Sequence, residues 1–153
     1  MAQIRQGIAA WRATEAALTV PFLCTLLAEV SDYLGHTEDV IQALAEAHTL
    51  VEQHEERWWE AEISRLRGVL LLRQTVPQHA EAEAWLQRAL DVARRHEAKS
   101  LELRAARSLA RLWQQQGKRQ EAHDLLAPMY GWFTEGFDTA DLQEAKAMLG
   151  ELI

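Results

Sequence analysis

One cysteine, three prolines and seven glycines are spread over 153 residues, and each scarcity removes a class of structure. A lone Cys24 cannot close an internal disulfide or supply a cysteine-rich zinc site. The fold is therefore expected to rest on packing in a reducing compartment, with Cys24 as a buried thiol. So few prolines and glycines leave little room for long linkers or for the many tight turns of an all-β domain. No uninterrupted apolar run approaches the roughly 20 residues that a membrane span needs. Arg5, Arg12 and Glu15 interrupt the first twenty residues, so neither a signal peptide nor a membrane helix is expected there, and the expected compartment is the cytoplasm. No glycine-rich loop ends in Lys-Ser or Lys-Thr, which removes the commonest phosphate cradle. The histidines at 36, 48, 54, 79, 96 and 123 are scattered, and none belongs to a His-Glu-x-x-His pair. Cys24 has no local signature of a nucleophile. The sequence thus assigns no catalytic residue, no metal and no cofactor, and the expectation is a protein that is not an enzyme.

What the chain does contain is helix-forming residues. Alanine, leucine, glutamate, glutamine and arginine dominate, and all favour helix. A chain of this length fits one domain and can bury roughly two-thirds of its unfolded surface. Ile4, Ile8, Trp11 and Leu18 form one stripe of a helix over 3–18. Pro21 marks a new start, and a helix is predicted from about 20 to 34, ended by Gly35. The next opens at Thr37 or Glu38 and runs to about His54. A fourth covers 57–74, a fifth 79–97 beyond Pro77, a sixth 100–116 and a seventh 119–127, where Pro128 should end or kink it. Asp138 or Thr139 caps a last helix to 152, with Leu142, Ala145, Met148, Leu149 and Leu152 on its apolar stripe.

The net charge of −7 hides a segregation. Between Arg88 and Arg119, nine basic residues face three acidic ones, a surplus of six; the rest of the chain holds seven basic and twenty acidic residues. Such polarity can orient an acidic partner or a second copy at long range. It argues against nucleic acid as the main partner.

Leu109, Ala110, Trp113, Gly117, Glu121 and Ala122 sit at offsets that suit one hairpin of antiparallel helices, with Gly117 as the turn. This spacing resembles the tetratricopeptide repeat, a helix-turn-helix unit of 34 residues that stacks into a solenoid. Ala82–Leu90 resembles the second helix of such a unit. Ala28, Gly35 and Val40 repeat the spacing of Ala110, Gly117 and Ala122. The resemblance implies an all-α solenoid in a single domain: a half repeat over 3–19, repeats over 20–55, 57–97 and 100–133, and a capping helix over 138–152. In the middle repeat, Gly68 or Leu70 is the close-contact residue, depending on whether its turn has two extra residues. The capping helix could turn Asp141, Glu144, Lys146 and Glu151 outward as the polar face of a solenoid end. The tail from Leu125 to Leu152 also resembles the C-terminal repeat region of bacterial signalling proteins that join an ATPase to a class III nucleotide cyclase.

The resemblance further implies a concave groove lined by the first helix of each hairpin, a surface for a protein or peptide. Arg104, Arg107 and Arg111 share one helix face by their spacing, and with Gln114 and Gln115 they fall on that side. Arg65 or Arg67 would extend the strip, and Phe22, Thr25, Glu29, Asp32 and Tyr33 would face it from the first repeat. Arginine forks suit carboxylates and phosphates, so the strip is either a clamp for an acidic segment or a solvated face balanced by Glu62, Glu97 or Glu102.

Trp58 and Trp59 diverge by about 100° on a helix, which puts one inside and one at an edge. Tyr130, Trp132, Phe133 and Phe137 are expected to plug the last hairpin, with an exposed docking patch as the other reading. Ile4, Ile8, Trp11 and Leu18 lack the antiparallel partner the resemblance implies, which makes the leading helix a candidate for contact with a second copy.

Overall fold

In the computed structural model, the described residues are 20–54, 59–74 and 76–153 together with positions 3, 6, 7, 9 and 10, and the side chain of His54 lies outside them. They form seven complete helices: α1 (Val20–Tyr33), α2 (Thr37–His54), α3 (Glu60–Leu72), α4 (His79–Arg95), α5 (Lys99–Gln115), α6 (Arg119–Gly131) and α7 (Ala140–Leu152). No strand occurs among the described residues. Ile4, Ile8, Trp11, Leu18 and Trp58 lie outside them.

Each helix packs on the next one in sequence, and the broader contacts between alternate helices all run along the odd-numbered set: α1 on α3, α3 on α5, α5 on α7. The product is an all-α solenoid of stacked hairpins. Its odd-numbered helices crowd together and its even-numbered ones splay, so the odd set lines the inner face.

Small side chains make the crowding possible. Ala82, Ala89 and Ala93 alternate with Leu86 and Leu90 on α4, and Ala105, Ala106 and Ala110 with Leu103 and Leu109 on α5; all are buried. One continuous apolar core runs from Leu86 to Leu152, while the first hairpin has smaller cores of its own, around Cys24 and around Ala28.

Gly35 and Gly117 take left-handed φ of 75° and 81° just past α1 and α5. The amides of His36 and Lys118 then bond back to the carbonyls of Ser31 and Trp113, each at 2.8 Å, which satisfies the last helical carbonyls. Glu97 does the same after α4 with φ 54°, which is why that helix stops at Arg95 rather than running to 97. The middle repeat places Gly68 against α4: a β-carbon there would stand 2.8 Å from Leu86 Cγ and 3.0 Å from the Ala82 carbonyl oxygen. Gly68 is therefore the residue of α3 at which α4 approaches most closely to a missing side chain.

One expectation needs correction and a second needs completing. Pro128 does not end α6, which continues to Gly131. The lost hydrogen bond is offset by what the last turn packs: Met129 and Tyr130 lie against the core. The capping helix leaves Glu144, Lys146 and Glu151 exposed, but its acids also meet α5. Asp141 and Glu144 pair with Arg107 of α5, and Glu151 accepts a hydrogen bond from Gln114. Tyr130 and Phe133 pack against the core as expected, whereas Trp132 and Phe137 remain about half exposed.

Candidate partner-binding face

The inner face is built from the N-terminal and middle turns of the odd-numbered helices, and charge dominates it. On α3, Glu62 and Arg65 are three residues apart and both buried. The Arg65 guanidinium donates to both Glu62 oxygens, at 2.9 and 2.6 Å, in the planar fork that arginine offers a carboxylate. Burial works to lower the Arg65 pKa; the Glu62 hydrogen bonds and the charges of Glu62, Glu29 and Asp141 outweigh it and raise the pKa above its ordinary value. The group stays a cation at any working pH.

Arg104 of α5 ties this pair to the rest of the solenoid. Its Nη2 lies 3.0 Å from Glu29 Oε1 on α1 and 3.0 Å from Glu62 Oε1 on α3, and its Nε lies 3.7 Å from Asp141 on α7. One side chain thus spans all four odd-numbered helices. One turn further on, Arg107 faces Asp141 at 3.4 Å and Glu144 at 2.5 Å. The i, i+3 pair of arginines on α5 meets an i, i+3 pair of acids on α7, which is the geometry two packed helices favour.

The stripe changes character beyond Arg107. Arg111 and Gln115 are exposed, and Arg111 makes no ion pair among the described residues. Gln114 donates to Glu151 at 3.3 Å. Tyr33 is 91% exposed at the end of α1, beside the ion pair between Asp32 and Arg73. The face therefore has two bands: a locked one (Glu29, Glu62, Arg65, Arg104, Arg107, Asp141, Glu144) and an open one (Tyr33, Arg111, Gln115). Of the residues expected on this face, Arg65, Arg104 and Arg107 are brought together. Arg111, Gln114 and Gln115 continue their row on α5, and Tyr33 stands on the first helix. Of the three balancing acids weighed for the strip, Glu62 serves it. Glu102 instead pairs with Arg94 at 3.0 Å and Lys99 at 2.8 Å. Arg67 does not join the strip; it stacks on Trp85, 4.2 Å from the ring centre. The two acids that matter most, Asp141 and Glu144, were missed, although their spacing matches that of the arginines they meet.

Among the described residues, no group of three His, Cys, Asp or Glu is arranged to hold a metal ion, and no helix is long and apolar enough to cross a membrane. No protein-family model matches the chain, and no curated protein is significantly similar to it.

Proposed function

We propose that this protein is a noncatalytic interaction module that takes a partner segment along its inner face. The observation that supports it most is the state of the arginine row. The row passes through Arg107, whose acids are themselves open to solvent (Asp141 is 39% and Glu144 60% exposed), and ends in Arg111, which makes no ion pair among the described residues. Solvent-exposed pairs are worth little, so an acidic segment can take Arg111 directly and exchange with Glu144 and Asp141 for Arg107, while Arg104 stays tied to Glu29 and Glu62. Arg65 and Glu62 hold the row in place from beneath. The surplus of positive charge between Arg88 and Arg119 supports an acidic partner over a basic one.

The resemblance of the tail to repeat regions beside ATPase and cyclase domains supports a narrower form of the proposal: a regulatory or sensor element of a bacterial signalling system, acting in the cytoplasm. A second reading, self-assembly, draws on the exposed Leu26, Leu34 and Tyr33 of the first hairpin, at the end where Ile4, Ile8, Trp11 and Leu18 precede it. Sedimentation equilibrium separates them: a strict monomer at high concentration removes self-assembly.

The test is fluorescence anisotropy with a labelled peptide of alternating glutamate and leucine. Arg111→Glu changes an exposed, unpaired side chain and should leave the circular dichroism spectrum intact while abolishing binding. The double variant Arg107→Glu/Arg111→Glu should do so as well. Unchanged affinity in both removes the clamp.

A further inference from the structure

Arg67 differs from the other buried or half-buried arginines among the described residues. Arg65, Arg104 and Arg107 each face a carboxylate. Arg67 faces none among the described residues. Its guanidinium lies over the Trp85 ring and borders a cleft of about 210 Å³ between α2, α3 and α4. The cleft exists because the even-numbered helices splay: α2 and α4 approach each other where His48 meets Trp85 edge-on at 6.3 Å, and part of α3 is left uncovered between them. Its walls are Ile41, Leu44, Leu70 and Leu71, and the exposed Glu81 in the first turn of α4 also lines it, without an ion pair among the described residues. Ile41, 49% exposed, has only part of an apolar surround.

Size and charge together narrow the occupant. The cleft exceeds the roughly 150 Å³ that accommodates benzene, and falls below the roughly 300 Å³ at which sites for drug-sized ligands and cofactors begin. It has room for one side chain of leucine or phenylalanine size. A half-buried guanidinium fixed by a ring stack is a ready bidentate donor to a carboxylate. A carboxylate at the rim accepts from an ammonium. A cation, an anion and an apolar wall in one small cleft are complementary to the three parts of an amino acid. A peptide carboxyl terminus would satisfy Arg67 and leave Glu81 against a like charge; a zwitterion uses both.

We infer that this cleft binds a free apolar α-amino acid, with the carboxylate on Arg67, the ammonium on Glu81 and the side chain against Ile41, Leu44, Leu70 and Leu71. The site lies on the outer surface, so it stands or falls apart from the inner-face proposal.

Isothermal titration of the intact protein tests it, with leucine and phenylalanine as probes and with leucinamide, N-acetylleucine and glycine as probes that each lack one of the three parts. At least one of leucine and phenylalanine should give a saturable heat, and each deficient analogue should bind at least about tenfold more weakly than leucine. Arg67→Gln, Glu81→Gln and Ile41→Trp, which fills the cleft from an exposed position, should each weaken binding by a similar factor. Should Arg67→Gln fail to fold, Ile41→Trp decides the case. No saturable heat up to about 10 mM with either amino acid overturns the inference. So does binding that is unchanged in Ile41→Trp, or N-acetylleucine binding as tightly as leucine.

Discussion

Replacing Gly68 with alanine sets two opposed and measurable effects against each other. In an exposed helix interior the change stabilises by about 1 kcal/mol, because alanine loses less backbone entropy on folding. At Gly68 the added methyl would stand 2.8 Å from Leu86 Cγ and 3.0 Å from the Ala82 carbonyl oxygen. Carbon atoms pack at about 3.5–4.0 Å, so α3 and α4 must part by a sizeable fraction of an ångström. Leu86 cannot yield alone, since it is fully buried in the core, and the Ala82 oxygen belongs to the backbone of α4. Overpacking of this kind costs about 1–3 kcal/mol. With the obstacle partly backbone, the upper part of that range applies, and the net result is a loss of about 1–2 kcal/mol. For a domain of this size the melting temperature should fall by about 2–8 °C, read from helical circular dichroism on heating. Gly150→Ala is the matched control. That glycine lies in α7 with nothing within 4 Å of an added β-carbon, so the propensity gain is unopposed and stability should hold or rise. A Gly68→Ala protein as stable as the parent, or more so, would refute the close approach of α3 and α4.

Three further outcomes follow from the same geometry. Glu62→Ala leaves Arg65 as a buried cation with only the partly exposed Glu29 and the more distant charge of Asp141 to offset it, and should cost about 3 kcal/mol in urea unfolding; Glu29→Ala, at a half-exposed carboxylate, should cost less than about 1 kcal/mol. Gly117→Ala forces a β-carbon into a backbone with φ of 81° and should destabilise by about 1–2 kcal/mol, read from the urea midpoint. Burial works to raise the Glu102 pKa, but hydrogen bonds from Lys99 and Arg94 outweigh it and hold the carboxyl below its ordinary value. A lowered folded-state pKa contributes stability that is present above the unfolded value and lost as pH falls through the folded one, so Glu102→Gln should flatten the decline in stability below about pH 4.5.

How much of this was legible in the sequence depends on whether a residue type is tied to one geometry. Gly35 and Gly117 were readable as turns, because the left-handed backbone they adopt favours glycine. Glu97 adopts a similar backbone without glycine, so the end of α4 was placed two residues late. Gly68 was readable as a cost that demanded a close neighbour, but its partner depended on the length of the following turn, which only the fold fixes. Pro128 misled because its local penalty is legible while the packing of Met129 and Tyr130 that offsets it is not. The arginine row was visible from its spacing. Its acids on α7 were assigned to an outer face, since sequence gives a helix's periodicity and not its rotation against a neighbour. The division of the row into a locked and an open band was hidden for the same reason.

The exchange of internal carboxylates for a partner's is the claim on which the functional account turns. The direct measurement is the affinity of the labelled glutamate–leucine peptide for the Asp141→Asn/Glu144→Gln double variant relative to the parent protein. Removing the competing acids frees Arg107, while Arg104 keeps Glu29 and Glu62, and should tighten binding by at least about threefold, a gain of roughly 0.7 kcal/mol. Affinity that is unchanged or weaker in the double variant would contradict the account.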